Sequence, residues 1–367
     1  MTFEEKTFID FDFSDPFFKK APDAKLVACE KDGIAPKNFH AMSVYPEYFK
    51  INGRWILAHN SRMDAVAVVD DTKGYERIKI VEFRNLKKGD KVVVGRTEDG
   101  SEGIFLYDSG FEEFDKSIDK FAFRSGRSRE TAFSIDYDRL YEILKKEKEK
   151  NNKVTWVLGT AVTLDHSSRE ALVALIKEGY VDTIICGNSL AAFDLELACF
   201  NSVWGQKVFT KEQNSLFNFA ETINLVNRHK SIKNLIDSGI TKDGFVKACY
   251  DYNVNLVIAA SIRDRLLLPE AYSNVYKAQD AMRTHIKDSS VIIMVSAILF
   301  SIASGNMTPS YNVFNGRVKP IYMYVVDIQE FAVNKLADRG SLTAKTVVTN
   351  AQDFMRNIGR AMAQHKF

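Results

Sequence analysis

The sequence has few of the residues that build covalent cross-links or metal sites. It contains only four cysteines and six histidines in 367 residues. The cysteines form no CxxC pair, and the histidines form neither HxH nor HExxH. Zinc sites and disulfide frameworks depend on such spacings. We therefore predict no metal, and reduced, buried thiols at Cys29, Cys186, Cys199 and Cys249.

The sequence also lacks the patterns of membrane insertion, secretion and nucleic-acid binding. Its most apolar run, Val291 to Ala303, is interrupted by Ser296 and Ser301 and is shorter than the roughly 20 residues that cross a bilayer. The first residues, MTFEEKTFIDFDF, are acidic and aromatic, unlike a secretory signal. The formal net charge of +2 includes no clustered basic excess. We expect a cytoplasmic protein that binds neither membranes nor nucleic acid and acts on a small molecule.

The length and pattern of the chain favour two domains. Short β-type runs broken by INGR, KKGD and EDGSEG fill the segment from Lys25 to about Gly103 and predict a small β-rich domain over residues 1–135. Asn52-Gly53 is its clearest turn. The charged stretch YDRLYEILKKEKEKNN predicts a solvated helical connector over residues 136–152.

Apolar strands and amphipathic helices alternate from residue 153 to the end at residue 367. This pattern is typical of a parallel sheet covered on both faces. It predicts an α/β fold, a Rossmann-like doubly wound domain. The predicted strands are VTWVL, DTIIC, NLVIA, SVIIMV, PIYMYVV and TAKTVV.

Small residues, amides and acids follow these strands, where open parallel sheets bind ligands. A glycine at a strand-to-helix turn lets backbone N–H groups approach a phosphate. GxGxxG is absent, so these glycines equally suit tight turns. The residues in question are Gly159, Thr160 and Ala161, then Gly187, Asn188 and Ser189, then Ser261, Arg263 and Asp264, then Gly305, Asn306 and Met307, and finally Asp327.

Several charged residues near the strand ends have a functional and a structural interpretation. Asp327 is placed either to accept hydrogen bonds from a ribose diol or to serve as the N-cap of a helix that begins near Gln329. Asp194, within AAFDLELACF, is either a buried acid that needs a partner or an exposed one. Arg263 with Asp264 suits a substrate carboxylate or a structural ion pair. The same alternative applies to Asp280 and to Asp338-Arg339.

Five blocks in order resemble the archaeal-type NAD-dependent ornithine cyclodeaminase family, known as the LOR/SDH conserved region. They are GYVDTIICGNSLAAFDLE, SIRD, AQDAMR, SIASGNMTPS and VDIQEFAVNKLADRGS. Upstream, APKNFHAMSVYPEYFKINGRW is similar to the β-rich region of that family. The C-terminal domain of the cyanobacterial arginine dihydrolase/ornithine cyclodeaminase carries the same pattern.

The resemblance implies a Rossmann-like domain akin to that of deoxyhypusine synthase, a bound NAD and a homo-oligomer. It further implies conversion of L-ornithine, or a related diamino acid, to L-proline and ammonia by transient hydride transfer. The cofactor residues implied are Gly159, Thr160, Ala161, Gly187, Asn188, Ser261, Gly305, Asn306, Met307, Asp327 and Asp338. The implied catalytic residues are Asp194, Arg263, Asp264 and Asp280.

Three departures from the family pattern bear on the substrate. Phe193 replaces a histidine, RLLLPE replaces an acidic, glycine-containing loop, and NSLFNFAETIN replaces a histidine-rich stretch. Two alternatives therefore stay open. One is an NAD-dependent amino-acid oxidoreductase that releases NADH, and the other is a non-catalytic NAD-binding protein with a sensing or interaction role.

Overall fold

The computed structural model describes residues 7–111, 135–203, 206–207, 217–261, 264–314, 316–329 and 343–363. The predicted site residues Arg263 and Asp338 lie outside these ranges. None of the helices in the described part is both long and apolar enough to cross a membrane.

The N-terminal region is built from antiparallel strands, as predicted. One sheet has the order β1-β6-β4-β5 and the other β3-β2-β7. A turn at Asn52-Gly53, with φ of 49° and 75°, joins β2 to β3 as expected. The elements are α1 (Pro16–Lys20), β1 (Lys25–Ala28), β2 (Glu47–Ile51), β3 (Arg54–Leu57), β4 (Ala65–Asp70), β5 (Arg77–Glu82), β6 (Lys91–Val94) and β7 (Ile104–Leu106).

The C-terminal region contains a six-stranded parallel sheet with helices on both faces, which confirms the predicted Rossmann-like fold. Its strands are β8 (Lys153–Leu158), β9 (Thr183–Gly187), β12 (Asn255–Ala259), β13 (Ser289–Val295), β16 (Tyr322–Asp327) and β17 (Ala344–Val348). The smaller strands are β10 (Ser202–Val203), β11 (Gln206–Lys207), β14 (Tyr311–Phe314) and β15 (Arg317–Pro320). The helices are α2 (Ile135–Glu149), α3 (His166–Lys177), α4 (Asn188–Phe200), α5 (Phe217–His229), α6 (Ile232–Asp237), α7 (Phe245–Asp251), α8 (Val275–Ile286), α9 (Ile298–Met307) and α10 (Ala351–Ala363).

The strand order of the sheet is β12-β9-β8-β13-β16-β17. In chain order this is third, second, first, fourth, fifth, sixth, the Rossmann arrangement. Successive side chains of a strand point to opposite faces. Trp156 therefore packs under α2, α3 and α10, while Val157 packs under α8 and α9.

The prediction of a solvated connector is wrong for one face of α2. Tyr137, Leu140 and Leu144 are buried in the core beneath the sheet. Their spacing of three and four residues places them on one side of the helix. Lys145 and Lys148 are exposed on the other side. The high charge of this segment concealed an apolar stripe, so α2 is part of the core of the sheet region.

The hairpin β14-β15 connects the sheet region to the N-terminal region. The hydroxyl of Tyr311 donates to the Ala58 carbonyl at 2.5 Å, and the Ser310 N–H donates to the Ser61 carbonyl at 3.0 Å. Tyr311 is fully buried. These contacts hold the antiparallel sheets against the α8–α9 side of the molecule.

Candidate functional site

The chain leaves β8 and β13, two neighbouring strands, toward opposite faces of the sheet. β8 leads to α3 on one face, and β13 leads to α9 on the other. Such a divergence opens a crevice at the carboxyl ends of the strands, where Rossmann folds bind dinucleotides. The crevice lies between Gly159, which follows β8, and Ser296, which follows β13.

Gly159 allows the two backbones at this crevice to approach closely. A Cβ atom on Gly159 would lie 1.7 Å from the carbonyl oxygen of Ser296, which no side chain tolerates. The Gly159 N–H donates to the Val295 carbonyl at 2.8 Å. Ser296 itself has a φ of 47°, in the left-handed region. Between the roles left open by the sequence, the structure shows that Gly159 is needed for close backbone packing.

Two helix N-termini face the same edge of the sheet. α4 starts directly after β9 with Gly187 as its N-cap, and α9 starts after β13 with Ala297 as its N-cap. Neither N-cap residue provides a side-chain hydrogen bond to its helix. The first N–H groups of a helix carry partial positive charge and bind anions. The carboxyl edge is therefore suited to a phosphate-bearing ligand.

The side chain of Asn188 holds a loop, and the predicted contact of this residue with the cofactor stays a prediction. Its Nδ2 donates to the Leu266 carbonyl, and its Oδ1 accepts the Leu268 N–H, both at 2.9 Å. Asn188 is buried. Because its amide oxygen and nitrogen both bond to the loop backbone, Asn188 positions the loop after β12 beside the start of α4.

Asp264 closes the turn that follows β12. Its Oδ2 accepts the Ser261 N–H at 2.7 Å, and its Oδ1 accepts the Ser189 hydroxyl at 3.4 Å. These contacts place Ser261 and Asp264 at the edge where the cofactor and substrate residues were expected. Their roles toward a ligand stay predictions.

Asp194, to which the resemblance assigns a catalytic role, forms a buried ion pair. The side chain is fully buried, and its Oδ1 accepts the Arg169 Nε hydrogen at 2.5 Å. The carboxylate also accepts the N–H groups of Phe245, at 3.2 Å, and Val246, at 2.9 Å, at the start of α7. A buried acid requires such partners. Asp194 thus ties α3, α4 and α7 together, and its predicted catalytic role stays a prediction.

The charge of Arg169 is kept by its carboxylate neighbours. Burial disfavours the cation, but Asp194 and Asp243 outweigh that effect and raise the pKa of Arg169. Asp243 lies 2.7 Å from Arg169 Nη2 and is largely exposed. Asp194 is therefore the buried one of the two carboxylates that contact Arg169.

Asp327 ends β16 next to the crevice strand β13, at 7% exposure. Its Oδ1 accepts the Gln329 N–H at 2.9 Å, and the helix that the sequence predicts near Gln329 lies outside the described residues. Thr160 and Ala161 lie at the carboxyl edge in a single 3₁₀ turn. Thr160 is exposed there. Ribose and phosphate contacts for these three residues stay predictions.

Gly305, Asn306 and Met307 do not lie at a strand end, which corrects the sequence-based placement. They form the last turn of α9, whose first turn follows β13. At about 1.5 Å per residue, they are roughly 12 Å along the helix from the carboxyl edge. Asn306 and Met307 line a cleft between α9, α8 and the N-terminal region.

This interdomain cleft has a volume of about 530 Å³. Its lining includes Arg62, Glu82 and Arg84 from the N-terminal region and Arg283 from α8. The blocks AQDAMR and SIASGNMTPS, far apart in sequence, converge on it. Arg62, Glu82 and Arg84 are not predictable as site residues from the sequence, because nothing in their spacing connects them to α8.

Three arginines surround one carboxylate in this cleft, and we call Arg62, Arg84 and Arg283 the arginine cluster. Glu82 Oε1 lies 2.7 Å from Arg62 Nη2 and 2.5 Å from Arg283 Nη2, and Oε2 lies 3.0 Å from Arg84 Nε. Burial opposes the charge of Glu82, but the arginines outweigh it and lower its pKa. The pKa of Arg283 is lowered by burial and by the nearby Arg62 and Arg84 cations.

Asp280 belongs to the same network. Its Oδ1 lies 3.1 Å from Arg84 Nη2 and 3.0 Å from Arg283 Nη1. This is the ion-pair alternative that the sequence left open, although Asp280 is still 58% exposed. Its predicted part in proton transfer stays a prediction.

The cysteines provide no second site in the described residues. All four are free, and burial raises the pKa of each thiol. Across the described ranges, no group of three His, Cys, Asp or Glu side chains is placed to hold a metal ion.

Two family models match the chain. "Arginine dihydrolase ArgZ-like, C-terminal, Rossmann fold" matches residues 138–358, and the corresponding "first region" matches residues 46–126. Ornithine cyclodeaminase from Methanocaldococcus jannaschii is 32% identical, with 91% of this chain and 76% of the relative covered. The bifunctional arginine dihydrolase/ornithine cyclodeaminase AgrE from Nostoc is 31% identical, but this chain spans only 46% of its length.

Solved structures give the same result. A putative LOR/SDH protein from Methanococcus maripaludis superposes with a TM-score of 0.79 at 29% identity, covering 94% of this chain and 99% of that one. The ternary complex of AgrE with ornithine and NAD⁺ superposes with a TM-score of 0.58 at 29% identity, covering 94% of this chain and 46% of AgrE.

Proposed function

The chain belongs to the ArgZ-like C-terminal family, and on that premise we propose that it is an NAD-dependent ornithine cyclodeaminase. The proposed reaction converts L-ornithine to L-proline and ammonia. Relatives at about 30% identity over some 90% of the chain carry this name. A structural neighbour was solved with ornithine and NAD⁺ together.

The observation that carries the proposal is the crevice between Gly159 and Ser296. It lies where the Rossmann strand order diverges, and its floor is bare backbone because Gly159 has no side chain. The start of α4 presents N–H groups that no N-cap side chain occupies. These features fit the pyrophosphate of a dinucleotide. When bound, NAD supplies reversible hydride acceptance.

The protein's own residues shape the edge around that cofactor. Gly159, Thr160 and the first turn of α4 would hold the phosphates. Asn188 fixes the backbone of the loop at Leu266–Leu268. A fixed loop orients the substrate and lowers the entropy cost of the reaction.

The observation that favours a non-catalytic alternative is the position of Phe193. It replaces the histidine of the family pattern and packs against Phe219 at 5.3 Å between ring centroids, in a small apolar cluster with Leu197 and Val203. A titratable group is therefore lost where the family pattern has one. Turnover measurements separate a sensing protein from an enzyme.

The decisive experiment is to incubate the purified protein with L-ornithine deuterated at Cα, with and without NAD⁺. Ammonia, proline and NADH are followed in the same sample. Proline and ammonia in equal amounts, with deuterium retained at Cα and no net NADH, support the proposal. NADH accumulation supports an oxidoreductase instead. Bound NAD⁺ with no product from ornithine contradicts the cyclodeaminase and favours sensing.

A further inference from the structure

The arginine cluster holds more positive charge and more donors than its own carboxylates can use. Three guanidiniums contact two carboxylates, Glu82 and Asp280, which leaves one net positive charge in the network. Three guanidiniums carry about fifteen N–H donors, whereas two carboxylates accept about eight hydrogen bonds. The excess suits one further anionic acceptor.

The cluster is also shielded from water on one side and open to the cleft on the other. The side chains of Arg62 and Arg283 are 10% and 18% exposed. The Nε atom of Arg283 is buried and has no hydrogen-bond partner among the described residues. Both guanidiniums are already partly removed from water. A carboxylate that binds here therefore forms charge-assisted hydrogen bonds that are stronger than those between fully exposed groups.

The rest of the cleft is amphipathic. Leu299, Ile302 and Ala303 of α9 form an apolar wall, and Asp64 lies at the exposed rim. A ligand with a carboxylate, a short aliphatic stem and an ammonium group matches these three features in turn. The volume of about 530 Å³ is within the range of small-molecule sites, roughly 300–1,000 Å³.

We propose that this interdomain cleft binds the α-carboxylate of an amino acid through Arg62 and Arg283. The proposal rests on the function proposed above, because it supplies a binding group for the amino-acid substrate. Leu299, which lines one end of the cleft, is in the first turn of α9, the helix that follows β13. Arg62 comes from the N-terminal region, so both regions are needed to bind the ligand.

The same chemistry has two possible sources, the reacting substrate and an amino acid that binds as an effector. A purely structural network, which only joins the two regions, is the competing explanation. Substituting Arg62 separates these cases, because Glu82 keeps Arg84 and Arg283 as partners when Arg62 is removed.

The test is calorimetric titration of the NADH-saturated protein, which cannot take the hydride from ornithine and therefore reports binding without turnover. The ligands are L-ornithine and butane-1,4-diamine, which is ornithine without its carboxylate. The variants are Arg62→Met, Arg62→Lys and a control, Arg54→Met. Arg54 pairs with Glu76 on the surface of the same region and is 67% exposed. Melting temperatures verify that each variant is folded.

We expect Arg62→Met to weaken ornithine binding by about 10- to 100-fold and to leave diamine binding unchanged. Arg62→Lys should fall between, because lysine keeps the charge but not the fork of donors. Arg54→Met should match the wild type. Equal ornithine affinity in Arg62→Met and wild type overturns the proposal. The proposal is also overturned if the wild type, titrated in addition with L-lysine, L-arginine and L-proline, binds none of these amino acids and no ornithine. A drop in melting temperature with unchanged ornithine affinity in both Arg62 variants overturns it as well.

Kinetics then identify the source and separate this proposal from the proposed function. A raised KM that tracks the weakened affinity identifies the reacting substrate. Lost binding with unchanged kcat/KM identifies an effector. Arg62-dependent amino-acid binding without proline formation supports the site and contradicts the cyclodeaminase. Normal proline formation, with an ornithine affinity that the Arg62 substitutions do not change, supports the cyclodeaminase and contradicts the site.

Discussion

Gly159 and Ser296 meet so closely that a single methyl group on Gly159 would lie 1.7 Å from the Ser296 carbonyl oxygen. The two residues follow neighbouring strands, β8 and β13, whose connections diverge to opposite faces of the sheet. Their contact defines the floor of the crevice proposed to hold NAD.

Gly159→Ala should deform that floor. The Cβ meets backbone rather than a side chain that can rotate away, so we expect a loss of at least about 1–3 kcal/mol in unfolding free energy and weaker NAD⁺ binding. Chemical denaturation and NAD⁺ titration measure the two effects. Gly187→Ala is the matched control for the stability measurement alone, since its Cβ meets only the Phe300 ring at 3.3 Å. A Gly159→Ala protein as stable as wild type would contradict the close packing.

Asn188→Ala should release the loop after β12. The substitution removes both hydrogen bonds to the loop backbone and leaves the buried Leu268 N–H without its acceptor, at a cost of about 1–3 kcal/mol. Because Arg265 in this loop is exposed, trypsin should cut after it faster than in wild type. Ser189→Ala, which removes only a 3.4 Å contact to Asp264, should change the cleavage rate little. Equal cleavage of Asn188→Ala and wild type would show that the loop is held by other groups.

Asp194→Ala should destabilise the fold without specifically removing catalysis. Breaking this buried ion pair leaves Arg169 with the exposed Asp243 as its remaining carboxylate among the described residues, and such losses reach about 3–5 kcal/mol. Urea denaturation measures the change. Asp243→Asn, at the exposed end of the same network, should cost less than about 1 kcal/mol. If Asp194→Asn is folded and as stable as wild type but inactive, the structural assignment is wrong and Asp194 is catalytic.

Acidification should weaken the contact between the two regions through Glu82. Its pKa is lowered in the folded protein, since the arginine cluster outweighs the effect of burial. The unfolded state therefore binds the proton more readily, and stability rises with pH. The contribution is full above the unfolded pKa of about 4.3 and is lost as pH falls through the lower folded value. Melting temperatures from pH 7 to pH 3 should fall more steeply for wild type than for Glu82→Gln, and parallel curves would refute this linkage.

The five blocks that resemble the family predicted where residues lie in the fold, but they did not predict what each side chain contacts. The sequence placed Asn188 and Asp264 at the ends of strands, and the structure has them there. Asn188 nevertheless bonds to a loop that lies 78 and 80 positions away. No local spacing reveals such a partner.

The sequence by itself determined the Rossmann-like fold, the antiparallel N-terminal region and the turn at Asn52-Gly53. These follow from the alternation of side chains along strands, the periodicity of helices and the conformational demands of turns, all of which are local. Only the tertiary structure decided that Asp194 is an ion-pair partner, that Asn306 lies in a cleft and that Arg62 meets Glu82 and Arg283. The contacts of a charged side chain depend on which groups packing brings next to it. Glu82 and Arg283, for example, are in contact although they are 201 positions apart in the chain.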